Sequence, residues 1–220
     1  MNVQTKLMRL AVITGGHDYD VPNFQHLFSN MPGVAAVIQP LDEFAAAPQL
    51  TRDAYAAVLF YCMPTPKPDA ESQRWYTGAV RAALEHLRET GQGLVLLHHA
   101  ILAYPDWPFW RELSGIDPTL ASYHHDQTVR LQVAAPNHPI TAGLANFEVV
   151  DETYRMGEPD PGSEVLLSTD HPLSLRSIAW ARSFGRSRVF CLALGHDAVC
   201  WYSLAFEQVL TRGLHWTVNG

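Results

Sequence analysis

The sequence predicts an α/β fold, a mostly parallel central sheet with helices packed on it, and three observations predict it. Short, nearly continuous apolar runs recur at residues 10–14, 55–61 and 93–97, as strands buried on both faces do. A helical stretch with one apolar stripe separates the second run from the third, the rhythm of parallel strands joined by crossovers. The ends of these runs carry glycine and histidine, where open α/β sheets bind their ligands.

Residues 10–14 form a strand that ends in the tight turn Gly15-Gly16. Residues 23–29 have weak helical spacing, and 34–39 read as a second strand. Residues 55–61 are a third, after which Pro64, Pro66 and Pro68 stiffen a loop. The clearest helix spans 70–90. Trp75, Ala79, Ala82, Ala83 and Leu87 share one stripe, Arg74, Arg81, Glu85 and Arg88 lie opposite, and Gly91 ends it. The strand at 93–97 runs directly into His98-His99. Beyond it, 107–113 read as a short helix and 128–134 as an alternating, half-exposed strand. Strands follow at 165–168, 178–183 and 188–194, the last two joined by a hairpin turn at 183–187. A helix over about 204–218 closes the chain. No repeat or linker interrupts it, so residues 1–220 read as one domain.

Composition narrows the function classes. The net charge of −7 and the lack of any Lys/Arg run speak against a nucleic-acid partner. No apolar stretch reaches the ~18 residues of a membrane helix, and the first residues do not read as an export signal. Three cysteines, Cys62, Cys191 and Cys200, suit reduced thiols in a cytoplasm.

Histidine stands out, with 11 residues in 220. It titrates near neutrality and is the commonest metal ligand, so enrichment points to a site. Three strand ends carry it: Gly16-His17-Asp18, His98-His99 and Gly195-His196-Asp197. Tyr123-His124-His125-Asp126 and Asp151-Glu152-Thr153-Tyr154 add further polar groups. Adjacent histidines on extended backbone point to opposite faces, so one of His98 and His99 is expected to face the crevice. No HExxH or CxxC is present. His98, His124 and His196, with Asp151 or Glu152, could still meet in space as ligands for zinc, iron or manganese. The strand-to-turn elbow at 96–100 holds neither serine nor cysteine, which argues against a covalent acyl-enzyme.

These residues resemble the ThuA-like (trehalose utilisation) proteins along most of the chain. The matching pieces are Val12-Ile13-Thr14-Gly15-Gly16-His17, Gly93-Leu94-Val95-Leu96-Leu97-His98-His99-Ala100, Phe109-Trp110 with Leu113-Ser114-Gly115, and His138-Pro139-Ile140-Thr141-Ala142-Gly143-Leu144. Asp151-Glu152-Thr153-Tyr154 and Gly185-Arg186 through Leu194-Gly195-His196-Asp197 complete the set. The resemblance implies a three-layer α/β/α sandwich of the class I glutamine amidotransferase-like, flavodoxin-like kind. It puts His98 or His99 where an amidotransferase has its catalytic cysteine, and His196 where it has its histidine. An imidazole cannot form the thioester that glutamine hydrolysis needs, so the chemistry is expected to have changed on a retained scaffold. Two departures stand out: the N-terminal loop holds fewer histidines than is usual in the family, and the short chain implies the bare domain, without a carbohydrate-binding or haem appendage.

What the resemblance implies is an enzyme acting on a disaccharide or keto-sugar derivative by acid/base chemistry, with or without a divalent metal. His98, His99, His196, Asp151 and Glu152 are the expected catalytic groups. His17, His124, Tyr154 and Trp201 are expected to bind the sugar, and His98, His124 and His196 any metal. A homodimer is expected from family habit. The alternatives are a non-catalytic sugar-binding or assembly module and a residual hydrolase using Cys62 or Cys191.

Overall fold

The computed structural model describes residues 7–65, 67–68 and 77–219. Its strands are β1 (Met8–Gly15), β2 (Val34–Pro40), β3 (Ala57–Cys62), β4 (Gly93–Leu97), β5 (Leu120–Val133), β6 (Phe147–Met156), β7 (Glu164–Ser168), β8 (Ser177–Phe184) and β9 (Ser187–Leu192). Its helices are α1 (Val21–Ser29), α2 (Leu41–Ala46), α3 (Gln49–Asp53), α4 (Thr77–Thr90), α5 (Pro108–Ser114), α6 (Ala198–Trp201) and α7 (Leu204–Asn219), with a 3-10 turn at His98–Leu102. Residues 70–76 of the expected long helix, Trp75 among them, and Pro66 lie outside the described residues.

The strands line up as β2-β1-β3-β4-β9-β8-β7-β5-β6. The expectation of a mostly parallel sheet is corrected here: the sheet is mixed. The four pairings from β2 to β9 are parallel, and the four from β9 out to β6 are antiparallel. Connection length explains the split. Parallel neighbours need a crossover of a dozen or more residues, usually a helix, whereas antiparallel ones need only a turn. Helices separate the first four strands, but Gly185-Arg186 alone joins β8 to β9, with Gly185 at φ +56°. Connections of seven residues (157–163) and eight residues (169–176), without a helix, link β6 to β7 and β7 to β8.

Leu10–Ile13, all of β3 and all of β4 are buried, as their continuous apolar runs require. Each large apolar side chain so buried contributes about 1.5–3 kcal/mol. Helices cover both faces. Gly213 of α7 lies against Phe190, and Gly93 lies so close to Thr217 that a Cβ there would collide with it. The next residue of β9, Cys191, points the other way, its sulfur 3.6 Å from the Ser114 carbonyl of α5. α4 lies beside α5 through an Arg88–Glu112 ion pair. Within the described residues, no helix is long and apolar enough to cross a membrane.

The antiparallel half determines the site. β5 joins the sheet only through Gln132 and Val133, and its long preceding stretch pairs with β6 instead. This two-stranded ribbon reaches the carboxyl ends of β4 and β9, where Asp151 of β6 bonds the backbone of Gly195 and His196.

Candidate functional site

His98 sits directly after β4 at φ +54°, a left-handed conformation that is costly for most side chains and that histidine adopts more readily than most. Its ring is fully buried. Nδ1 lies 3.0 Å from the Ala193 carbonyl. A carbonyl only accepts, so Nδ1 donates to it and Nε2 is turned toward the crevice. Three groups meet that nitrogen: the Tyr154 hydroxyl at 2.6 Å, Glu152 Oε2 at 3.2 Å and His196 Nδ1 at 3.2 Å. The separation of His196 Nδ1 from Glu152 Oε2 is 3.6 Å.

His196 follows Gly195, whose φ of +113° makes the bend after β9. Four contacts hold this loop. The Asp151 carboxylate accepts from the Gly195 amide at 2.6 Å and the His196 amide at 3.0 Å. The Tyr61 hydroxyl donates to the His196 carbonyl at 2.9 Å, and the Trp201 indole to that of Gly195 at 2.8 Å. Asp151 also accepts from the Glu152 amide at 2.9 Å. It is therefore a bracket that ties the ribbon to the loop, facing backbone rather than the crevice.

Glu152 uses its two oxygens on opposite sides: Oε2 faces His98 and His196, and Oε1 faces His125 Nδ1 at 3.1 Å. Burial pushes its carboxyl up, but the hydrogen bond and charge of His98, a bond from Tyr154 and the charge of His196 outweigh that and hold it below the usual carboxylate range. Burial, then the neighbouring His98, lowers the basicity of His196. Burial, then Glu152, pushes the Tyr154 phenol well above its ordinary value.

His99 stacks on His17 with ring centres 4.5 Å apart and lies 4.3 Å from the Tyr61 ring. Both of its ring nitrogens are buried without a hydrogen-bond partner among the described residues. Burial, then repulsion from His98 and His17, lowers its pKa to about 2. His17, half-buried, stands at the rim.

The structure therefore brings together His98, His196 and Glu152, with His17, His99, Asp151 and Tyr154 around them. Two expectations are corrected. His124 does not join the cluster: its Nε2 bonds the Ser122 hydroxyl at 3.0 Å, and Glu152 takes the third ligand position expected of it. Its neighbour His125 reaches Glu152, because adjacent strand residues point to opposite faces. Trp201 and Tyr154 are not sugar-stacking faces either, being only 3% and 2% exposed. Trp201 clamps the Gly195 carbonyl and Tyr154 stacks on His98. The exposed aromatic at the site is Tyr123, packed edge-on against His125. Sequence reasoning missed His125 and Tyr123 as site residues: the register shifts between His124 and Gln127, where Asp126 takes φ +55°, so alternation counted back from Val129 does not carry through to the histidine pair.

The sequence model of the ThuA family, described as trehalose utilisation, matches residues 34–217. The chain belongs to the ThuA family. A ThuA-like protein from Parabacteroides merdae has a similar structure (TM-score 0.76, 18% identity, covering 98% of this chain and 91% of that one). So does a ThuA-like protein from Bacteroides uniformis (TM-score 0.74, 21% identity, 99% and 94% covered). A cytoplasmic protein from Salmonella typhimurium is similar at a TM-score of 0.67 with 10% identity, covering 96% and 99%. At these identities the likeness shows the fold. No curated protein matches the chain. Within this ThuA-family chain, His98 rather than His99 occupies the strained turn after β4.

Proposed function

We propose that this chain is a cytoplasmic enzyme of carbohydrate utilisation that acts on a disaccharide or keto-sugar derivative by acid/base chemistry, without glutamine amidotransferase activity. The observation that carries this reading is the convergence of His98 Nε2, His196 Nδ1 and Glu152 Oε2 at the strand ends. A proton next to a sugar carbonyl is acidic enough to be removed by a positioned base, provided the developing enolate is stabilised. His196, partly exposed and less basic than a free imidazole, suits the base. His98, oriented by Ala193 and Tyr154, suits the group that meets the substrate oxygen. Tyr123 and His17 at the rim offer rings to a sugar face.

Thiol chemistry is disfavoured. The turn after β4 holds His98, and Cys62, Cys191 and Cys200 are all buried. Burial pushes the Cys62 thiol up to about 12 and raises the other two.

The test is turnover of a panel of 3-keto-disaccharides in deuterated buffer, followed by NMR at the carbons flanking the carbonyl. Wild-type protein is expected to exchange or eliminate there, and His196→Asn to lower kcat/KM by about 10²–10⁴-fold. Neither exchange nor product on any keto sugar would overturn the reading in favour of a binding module, and an undiminished variant would remove His196 as the base.

A further inference from the structure

We infer that His98, His196 and Glu152 form one face of a mononuclear site for a divalent transition metal, an inference that rests on the sugar-enzyme reading for its role but not for its geometry. The three donor atoms make a nearly equilateral triangle with sides of 3.2, 3.2 and 3.6 Å. Ligands about 2.1 Å from one ion stand about 3.0 Å apart at right angles and about 3.4 Å apart at the tetrahedral angle. The triangle is therefore already close to the size of a coordination face. Hydrogen bonds alone do not account for all three sides, since 3.6 Å is too long for one.

The surroundings are those of a metal ligand set. A ligating imidazole characteristically gives its other N–H to a backbone carbonyl, which fixes the tautomer and aims the lone pair. His98 does this to Ala193 at 3.0 Å. The carboxylate is likewise steered: His125 holds Oε1 at 3.1 Å and leaves Oε2 to the triangle. Gly195 and the Asp151 bracket hold His196 through its backbone, so its ring is carried by a loop fixed at four points. A strained residue, a buried carboxylate and two facing imidazoles are all costly to maintain, and a cation offsets the repulsion among their lone pairs.

Two imidazoles and one carboxylate suit zinc, iron(II) or manganese(II) better than calcium or magnesium, which take oxygen ligands. His98 and Glu152 are the buried ligands and His196 the partly exposed one. The coordination positions opposite the triangle therefore open toward the rim formed by His17, His125 and Tyr123. Paired oxygens of a keto sugar, a carbonyl and its neighbouring hydroxyl, are the ligands that would complete them, with the metal polarising the carbonyl.

The test uses tag-free, chelator-stripped full-length protein titrated with Zn²⁺ and Mn²⁺ by calorimetry, with elemental analysis of the dialysed product. Wild type is expected to take up one equivalent. Glu152→Gln and His196→Asn are expected to bind at least about 100-fold more weakly, and His124→Ala as wild type. Folding of each variant is checked by circular dichroism, and His196→Asn at the partly exposed position keeps the test valid if the buried glutamine does not fold. Stripped, folded wild type that takes up no stoichiometric metal, or variants with wild-type affinity, would overturn the site. Keto-sugar turnover separates the two readings. Metal uptake without turnover leaves the site standing and sinks the sugar reading; no metal uptake with turnover does the reverse, and uptake with turnover that survives metal removal sinks the metal's part in the reaction.

Discussion

At the scale of single residues, His98 and His99 show how differently neighbours can be used. Both are buried, but His98 has its ring nitrogens satisfied and His99 has neither. His99 therefore stays neutral in the folded protein, with its pKa lowered from 6.5 to about 2, mainly by burial. Below pH 6.5 the unfolded chain takes up a proton there that the folded chain refuses. The stability His99 contributes is thus complete above pH 6.5 and is lost as pH falls toward the folded value, at up to about 1.4 kcal/mol per pH unit. Urea unfolding at pH 7.5 and pH 5.5 is expected to show wild type weaker at the lower pH, and His99→Phe to remove about one proton's worth of that slope. An unchanged slope would mean that His99 titrates normally.

At the scale of elements, the β5–β6 ribbon and the β9–α6 loop form one unit because the Asp151 carboxylate joins them. Its oxygens accept from the Gly195, His196 and Glu152 amides, and the residue is 3% exposed. Charge-assisted bonds of this kind are worth about 1.5–3 kcal/mol each, and truncation leaves buried donors unsatisfied. Asp151→Ala is expected to lower stability by about 2–4 kcal/mol in chemical denaturation and to reduce turnover by displacing Glu152 and His196 together. A loss below about 0.5 kcal/mol would show that the loop holds its shape without the ribbon. Most elements were legible in the sequence: strands 10–14, 34–39, 55–61 and 93–97 and the closing helix lie where their periodicity puts them. β6 was not, because Asp151-Glu152-Thr153-Tyr154 lacks the apolar alternation of a half-exposed strand. All four residues are buried, three of them polar, and the local pattern carries no sign of the distant groups that meet Asp151 and Glu152.

At the scale of the whole molecule, the three cysteines lie inside the packed core, and burial raises each thiol above its ordinary range. A thiol reagent such as Ellman's is expected to label none of them in the native protein and all three in denaturant, and iodoacetamide to leave turnover intact. Rapid labelling of one native thiol with loss of activity would instead favour a cysteine mechanism. The mixed sheet follows from the same packing. Helix-length crossovers build the parallel half, and helix-free connections add an antiparallel half whose last two strands leave the sheet edge to cover the strand ends.

The sequence by itself determined the α/β class, the family and the strand ends at which chemistry could occur, because apolar runs, turn glycines and motif order are local properties. It also named His98, His99, His124, His196, Asp151 and Glu152, as residue types suited to bases and ligands near those ends. Only the tertiary structure decided which of them meet. The choice of His125 over His124 depends on which face of β5 turns toward the cluster, and strand alternation leaves that sign open until the ribbon is placed. The bracket role of Asp151 and the burial of Tyr154 and Trp201 depend on contacts between residues more than 40 positions apart, such as Asp151 with Gly195 and Tyr154 with His98. Side-chain chemistry is written along the chain, but the distances that make it a site are set by long-range packing.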